Sequence, residues 1–293
     1  MGIDDGLTAW RFSSNHNRML ELQDAAPKDG PVELAFFASS AFRITTPAGI
    51  TVMLDPWRNH PTGYWNWYFK DFPLTKVDIG VATHAHYDHD ALNRLDASVL
   101  LDRPIGRYEV GDLAIRTIPD KHATDASYGT YDFNKINSYF NKQVLDPPNN
   151  CRSWDNNLVV VETGGLRILH WGDNRHNPPE DVWKRLGEID ILLMPVDDSQ
   201  HVMGHPMVAS VLERLAPKVV VPHHYYSWKV VQRQSTLLPV EKWLEGQPRV
   251  RRLEAATTTY TRETLPAETT VDYFGDNIAF DVDAWYRDDE VWD

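Results

Sequence analysis

The chain has 293 residues and is acidic, 42 Asp plus Glu against 29 Lys plus Arg giving a net charge of −13; that length suits one α/β domain with a large core. The balance argues against a nucleic-acid backbone or an anionic membrane surface as main partner, while bound divalent cations would still admit an anionic small molecule. The single cysteine, Cys151, excludes an internal disulfide. The start Met1-Gly-Ile-Asp-Asp-Gly6 lacks a basic then apolar leader, and no apolar run nears the ~18 residues of a membrane span, so a cytoplasmic protein with no integral membrane segment is expected.

In chain order, residues 1–30 are polar around an amphipathic piece from Trp10 to Leu22, which predicts an N-terminal helical extension on the outside of the fold. Short strands follow. Val32 to Phe37, Ala41 to Thr45 and Ile50 to Leu54, divided by Ser-Ser and Pro-Ala-Gly, predict an antiparallel meander. Asp55-Pro56-Trp57 then opens a loop rich in rings: Trp57, Tyr64, Trp65, Trp67, Tyr68 and Phe69. Such a loop suits either a wall for an apolar substrate or a cluster that ties the loop down; on the first reading Trp57, Tyr64, Trp65 and Trp67 are candidate substrate contacts.

The apolar run Val77 to Ala82 reads as a buried strand, and it delivers Thr83-His84-Ala85-His86-Tyr87-Asp88-His89-Asp90. Imidazole nitrogen and carboxylate oxygen in this density suit zinc, manganese or iron. His84 and His86 point the same way, whereas Asp88 and His89 follow a turn of the backbone. The spacing therefore points to two neighbouring ions sharing one loop.

Ala91 to Leu95 predicts a short helix and Ser98 to Leu101 a strand. A hairpin turning near Gly111-Asp112 has Leu113 to Ile118 as its second strand, which delivers Asp120 and His122. The segment Ala123 to Asn157 has the length and aromatic content of a lid. Leu158 to Glu162 and Leu166 to His170 predict a hairpin ending in Trp171-Gly172-Asp173. Pro178 to Leu186 suits a helix with proline in its first turn. Ile189 to Val196 reads as a buried strand ending in Asp197-Asp198, Pro206 to Leu215 as a helix, and Lys218 to Val221 as a strand delivering His223 and His224. His176, His201 and His205 fall in loops around the same mouth and, with His223, are further candidate substrate contacts, a solvated surface position being the competing explanation. Residues 229–293 form a C-terminal extension with strand-like pieces at Arg249 to Leu253 and Thr269 to Phe274 and an acidic end.

The His84-x-His86-x-Asp88-His89 stretch resembles the signature of the metallo-β-lactamase superfamily of hydrolases, and the likeness extends over about residues 32–228. Thr51-Val-Met-Leu-Asp-Pro-Trp57, Asp120-Lys-His122, His170-Trp-Gly-Asp173-Asn and Val221-Pro-His-His-Tyr225 resemble the branch containing ascorbate-6-phosphate lactonase and N-acylphosphatidylethanolamine phospholipase D. Where that family often carries a Gly-His-Ala-Ser-Phe-like segment, this chain reads Ala38-Ser39-Ser40-Ala41-Phe42.

The resemblance implies an α/β fold, the αββα four-layer sandwich, as a single metallo-hydrolase domain over residues 1–293. It implies two divalent transition-metal ions, zinc first with manganese or iron as alternatives. His84, His86 and His122 would hold one, Asp88, His89 and His224 the other, and Asp173 would bridge them. The Pro222-x-His224 spacing favours His224 over His223, and His170 stays open as a ligand should His122 not be one. A hydroxide held by the ions, with Asp88 and Asp173 as the catalytic carboxylates, would attack a carbonyl or phosphoryl centre. The expected activity is hydrolysis of a small, partly apolar ester, lactone or related molecule. One alternative is a phosphodiesterase or phospholipase D-like hydrolase, with phosphate contacts from Arg58, Lys121 or Arg175; another is a di-iron redox protein. The expected partner is a small molecule, and a homo-oligomer is compatible with the chain.

Overall fold

The computed structural model describes residues 18, 20–24, 29–63, 66–123, 155–198, 202–232 and 235–287. Most of the expected N-terminal extension, Tyr64, Trp65, Cys151, His201, residues 124–154 of the expected lid and the acidic end lie outside them.

The meander forms as β1 (Val32–Phe36), β2 (Phe42–Thr45) and β3 (Thr51–Leu54), paired antiparallel with Leu34 opposite Ile44 and Ile44 opposite Val52. In β2 the buried Phe42 and Ile44 alternate with half-exposed Arg43 and Thr45, the period of a strand with one face in the core. β4 (Thr75–Ala82) and β5 (Leu95–Asp102) extend the sheet in parallel. From Val77 to Ala82 every residue is buried, as a strand covered on both faces requires. The expected helix before β5 is a 3-10 turn, Leu92–Arg94.

The second sheet starts with the antiparallel strands β6 (Gly106–Val110), β7 (Leu113–Lys121), β8 (Asp155–Thr163) and β9 (Leu166–His170). It continues through β10 (Ile191–Pro195) and β11 (Val219–His223), parallel to β9. The helices α1 (Glu180–Leu186) and α2 (His205–Leu215) occupy the two crossovers, which puts them on the face of this sheet away from the first. Buried Val182 and Leu186 of α1 and Val208 and Val211 of α2 supply the packing. The cover of the first sheet is thinner among the described residues. A helical turn at 20–23 buries Leu22, and the nearby Arg18 binds Asp78 of β4 at 2.8 Å.

The C-terminal segment is woven into both sheets. β12 (Val250–Arg252) and β14 (Thr270–Tyr273) join the second sheet beside β11, and β13 (Thr257–Tyr260), not foreseen from sequence, pairs with β1 in the first. The orders are β13-β1-β2-β3-β4-β5 and β12-β14-β11-β10-β9-β8-β7-β6. The helices α3 (Glu241–Glu245) and α4 (Val282–Arg287) flank these strands in the chain. The sheets meet through rings: Phe36 lies 5.5 Å from Phe274, and Phe42 lies 6.0 and 5.9 Å from His170 and His223. No helix among the described residues is long and apolar enough to cross a membrane.

Candidate metal centre

Strand carboxyl ends supply the site. β3 runs into Asp55, β4 into the loop 83–90, β7 into His122, β9 into Asp173, β10 into Asp197 and β11 into His224. His84, Asp88, His89, Asp173 and His224 are at most 1 % exposed, whereas His86 is half-buried. So many buried ionisable groups at one point are costly unless they bind each other or an ion.

The ligating atoms gather in two groups, His84, His86, His122 and Asp173, then Asp88, His89, Asp173 and His224, each with donor atoms within 4.8 Å of one another. Asp173 belongs to both. Its Oδ2 is 3.8 Å from His84 Nε2 and 3.4 Å from His122 Nε2, and its Oδ1 is 3.3 Å from His89 Nε2. His84 Nε2 lies 3.1 Å from His86 Nδ1, and His224 Nε2 lies 3.2 Å from Asp88 Oδ2.

What turns these nitrogens inward is the tethering of the opposite ring nitrogen. His89 Nδ1–H donates to Asp55 Oδ2 at 2.7 Å, and His122 Nδ1–H donates to the Ala123 carbonyl at 2.7 Å. Thr83 donates its N–H and its hydroxyl to the two Asp55 oxygens, both at 2.7 Å, leaving Thr83 Oγ1 to accept from His84 Nδ1–H at 3.0 Å. Asp55, which also lies with His84 and His89 in a third cluster, is thus occupied as an orienting group. The Asp173 N–H donates to Asn156 Oδ1 at 3.1 Å, and Asn156 in turn donates to Asn174, which donates to Asp120. Metal-binding histidines require such outer partners, so the donor set fits divalent transition-metal ions.

Electrostatics sort the imidazoles. Burial, with His89 and His86 close by, pushes His84 well below its ordinary pKa and keeps it neutral. Burial opposes protonation of His224, yet Asp173, Asp197 and Asp88 raise it to about 10. Burial would likewise raise the Asp173 carboxyl, but His224 and His89 hold it well below the usual carboxylate range.

The remaining candidates fall elsewhere. Trp57, expected in a substrate wall, is 0 % exposed; it donates to the Phe37 carbonyl at 3.0 Å and stacks on Tyr68. Asp55, at φ 47, turns the chain so that this ring enters the core. His223 is also 0 % exposed and sits behind the centre against Ser40 Oγ, so it has no surface to offer a substrate. His170 points the same way, its Nε2–H donating to the Ser40 carbonyl. His205 begins α2, its N–H donating to Asp198, and His176 is half-buried beside Arg175. Trp67 does reach the cluster, its ring centred 6.3 Å from His224 and 5.5 Å from Tyr87. Arg58, Lys121 and Arg175 are held by Asp90, Asp155 and Asp120 at 2.8, 2.7 and 2.6 Å. Sequence reasoning missed the roles of Asp55, Thr83, Asn156 and Asp197; the acidic strand ends at 55 and 197 were the available signal for two of them.

A two-sheet sandwich with histidines and aspartates converging at its strand ends is the architecture of a metal-dependent hydrolase. The model of a beta-lactamase superfamily domain matches residues 33–224, and the chain belongs to that superfamily. Among relatives, a UPF0173 metal-dependent hydrolase of Cupriavidus taiwanensis is 27% identical over 233 residues, covering 68% of this chain and 76% of the relative. Another, of Thermodesulfovibrio yellowstonii, is 23% identical over 214 residues, covering 67% and 79%. A solved structure of a metallo-beta-lactamase superfamily protein from Thermotoga maritima superposes with a TM-score of 0.57 at 20% identity, covering 83% of this chain and 97% of that one. The expected fold class is met by this likeness.

Proposed function

We infer that the chain holds two divalent transition-metal ions, zinc first, and hydrolyses a small, partly apolar ester, lactone or related molecule. The observation that carries this reading is Asp173, which belongs to both donor groups: its Oδ1 lies 3.3 Å from His89 Nε2, and its Oδ2 lies 3.4 Å from His122 Nε2 and 3.6 Å from His224 Nε2. A carboxylate shared in this way would suit a pair of ions held side by side. His84, His86 and His122 would hold one ion and Asp88, His89 and His224 the other. Bound there, the pair would supply Lewis acidity and an activated water nucleophile.

The chain's own contribution is orientation and enclosure. The tethers to Asp55, Thr83 and Ala123 fix three rings before any ion arrives, which spares the reordering that binding otherwise costs. Half-buried Tyr87 stands edge-on to Trp67 and to His60 at the rim, offering flat apolar surface to the non-reacting part of a substrate. The ring-lined rim supports a partly apolar ester or lactone. So does the pairing of Arg58, Lys121 and Arg175 with carboxylates, since a phosphate clamp would first have to break an ion pair.

The test is metal analysis of protein purified without chelator, beside a panel of esters, lactones and phosphodiesters run on wild type and Asp173→Asn. Two zinc ions per chain with ester or lactone turnover, both reduced in the variant, are expected. Turnover of phosphodiesters alone would replace the ester reading, and iron with redox but no hydrolytic activity would replace hydrolysis altogether.

A further inference from the structure

Below the centre lies a turn that the ligand set does not use. Ala38 and Ser39 take consecutive left-handed conformations, φ 70 and 53, which are disfavoured for residues that carry a Cβ. Such backbone persists only where its neighbours over-determine it. Here the Phe37 N–H donates to the Ala41 carbonyl at 2.8 Å and the Ala41 N–H to the Ala38 carbonyl at 2.9 Å. Side-chain bonds add to these: the Trp57 indole N–H donates to the Phe37 carbonyl at 3.0 Å, and at Ser39 itself the hydroxyl meets the Tyr68 phenol at 2.8 Å, buried.

Tyr68 is a rigid anchor for that bond. It is 0 % exposed, and its ring stacks on Trp57 at 4.3 Å. The Asn59 side chain binds both its N–H, at 2.9 Å, and its carbonyl, at 3.0 Å. On the other side of the turn, the Ser39 carbonyl accepts the His224 N–H at 3.0 Å. His224 is left-handed as well, φ 58, so it too depends on a held partner. The neighbouring Ser40 binds His170 and His223, neither of which is in the ligand groups. The path from the phenol to a ligand therefore runs through Ser39 to His224. The other group is tethered separately, at Thr83 and Ala123.

We propose that Tyr68 and Ser39 are positioning residues for His224, a hydrogen-bonded clasp that sets the affinity of the ion held with Asp88 and His89 and not that of the ion held by His84, His86 and His122. This rests on the dinuclear reading. Loss of the phenol lets the turn relax, the acceptor of the His224 N–H shifts, and its Nε2 leaves the direction it shares with Asp88. A purely structural bond would instead lower stability and leave the two ions alike.

The experiment is zinc titration of the metal-free full chain against a chromophoric chelator, resolving both Kd values, for wild type, Tyr68→Phe, Ser39→Ala, the double variant and His224→Ala, with thermal midpoints beside them. His224→Ala identifies which Kd belongs to its ion. Tyr68→Phe and Ser39→Ala should each weaken that Kd by about tenfold or more, the scale of an outer partner, and leave the other within about twofold. The double variant should be no worse than either single one, because both remove the same bond. Unchanged affinities, equal shifts at both ions, or additive effects overturn the clasp. Ser39→Ala keeps the Tyr68 ring in place, so it decides the matter should Tyr68→Phe unfold. A wild-type chain taking one zinc would sink the dinuclear reading alone; the clasp would then stand if that single Kd weakens in Tyr68→Phe and His224→Ala alike, and fall otherwise.

Discussion

Gly172, the residue before the shared carboxylate, carries the most sharply defined steric constraint of the centre. Its φ is +56, and a Cβ placed there would stand 2.6 Å from Asn156 Oδ1 and 2.8 Å from Thr83 Oγ1. Gly165 is a built-in control, because its φ is +70 yet the nearest atom to its Cβ would be Arg262 Cδ at 3.8 Å. Gly165→Ala should therefore cost only the left-handed penalty, about 1 kcal/mol. Gly172→Ala adds overpacking of about 1–3 kcal/mol. At roughly 2–3 °C per kcal/mol for a chain of this size, the thermal midpoint should fall about 2–3 °C in the control and about 4–12 °C at the centre. Both crowded atoms also support the ligand groups, Asn156 by accepting the Asp173 N–H and Thr83 by linking Asp55 to His84. Zinc affinity should then drop by about tenfold or more in Gly172→Ala alone. The assay is calorimetry of the metal-free protein beside competitive zinc titration. Equal losses in midpoint for the two variants, or wild-type zinc affinity in Gly172→Ala, would refute the reasoning.

His224→Ala should release one ion while His223→Ala keeps both and loses stability, read by metal content after dialysis; the reverse pattern would make His223 the ligand. Tyr87→Ala, at a half-buried rim position, should lower kcat/KM for the preferred substrate by about tenfold, or ~1.4 kcal/mol, with metal content and midpoint retained; full activity would remove it from the substrate wall. Burial raises the Asp78 carboxyl, but bonds from Arg18 and Thr51 outweigh it and hold the group below its ordinary value. A depressed folded-state pKa means stability that is present above the unfolded value, ~4, and lost as pH falls through the folded one. Asp78→Asn should thus cost on the order of 1 kcal/mol at pH 7, and the gap to wild type should narrow as acid carries the pH below the ordinary carboxylate range; a midpoint gap that ignores pH would exclude this account.

What was legible depends on how locally the chemistry is written. The loop from His84 to His89 packs four donors into one turn, so its residue types alone announce an ion site. His122, Asp173 and His224 come from separate strands, and only the ordered likeness to known hydrolases joined them to it. Tyr68 showed only as one ring of an aromatic loop and Ser39 only as part of the departure from the Gly-His-Ala-Ser-Phe-like segment, because their meeting depends on how distant segments pack. Of the two readings open for the aromatic loop, buried Trp57 follows the one that ties the loop down, a choice composition could not make because it reports rings and not their direction.

The same limit explains the C-terminal segment. Thr257–Tyr260 is mostly polar, with only Tyr260 buried, so β13 shows little of the apolar alternation by which strands are read. Its function is nonetheless tied to the centre. β13 pairs with β1, whose end leads into the Ser39 turn, and the Ala256 carbonyl accepts the Phe36 N–H at 2.9 Å just before that turn. β14 pairs with β11, whose end delivers His224. Strands from one segment thus brace the two backbones that meet at the bond between Ser39 and His224. Removing residues past 229 would open a sheet edge beside each partner of that contact, so the segment that looks appended in the sequence belongs to the support of the metal centre.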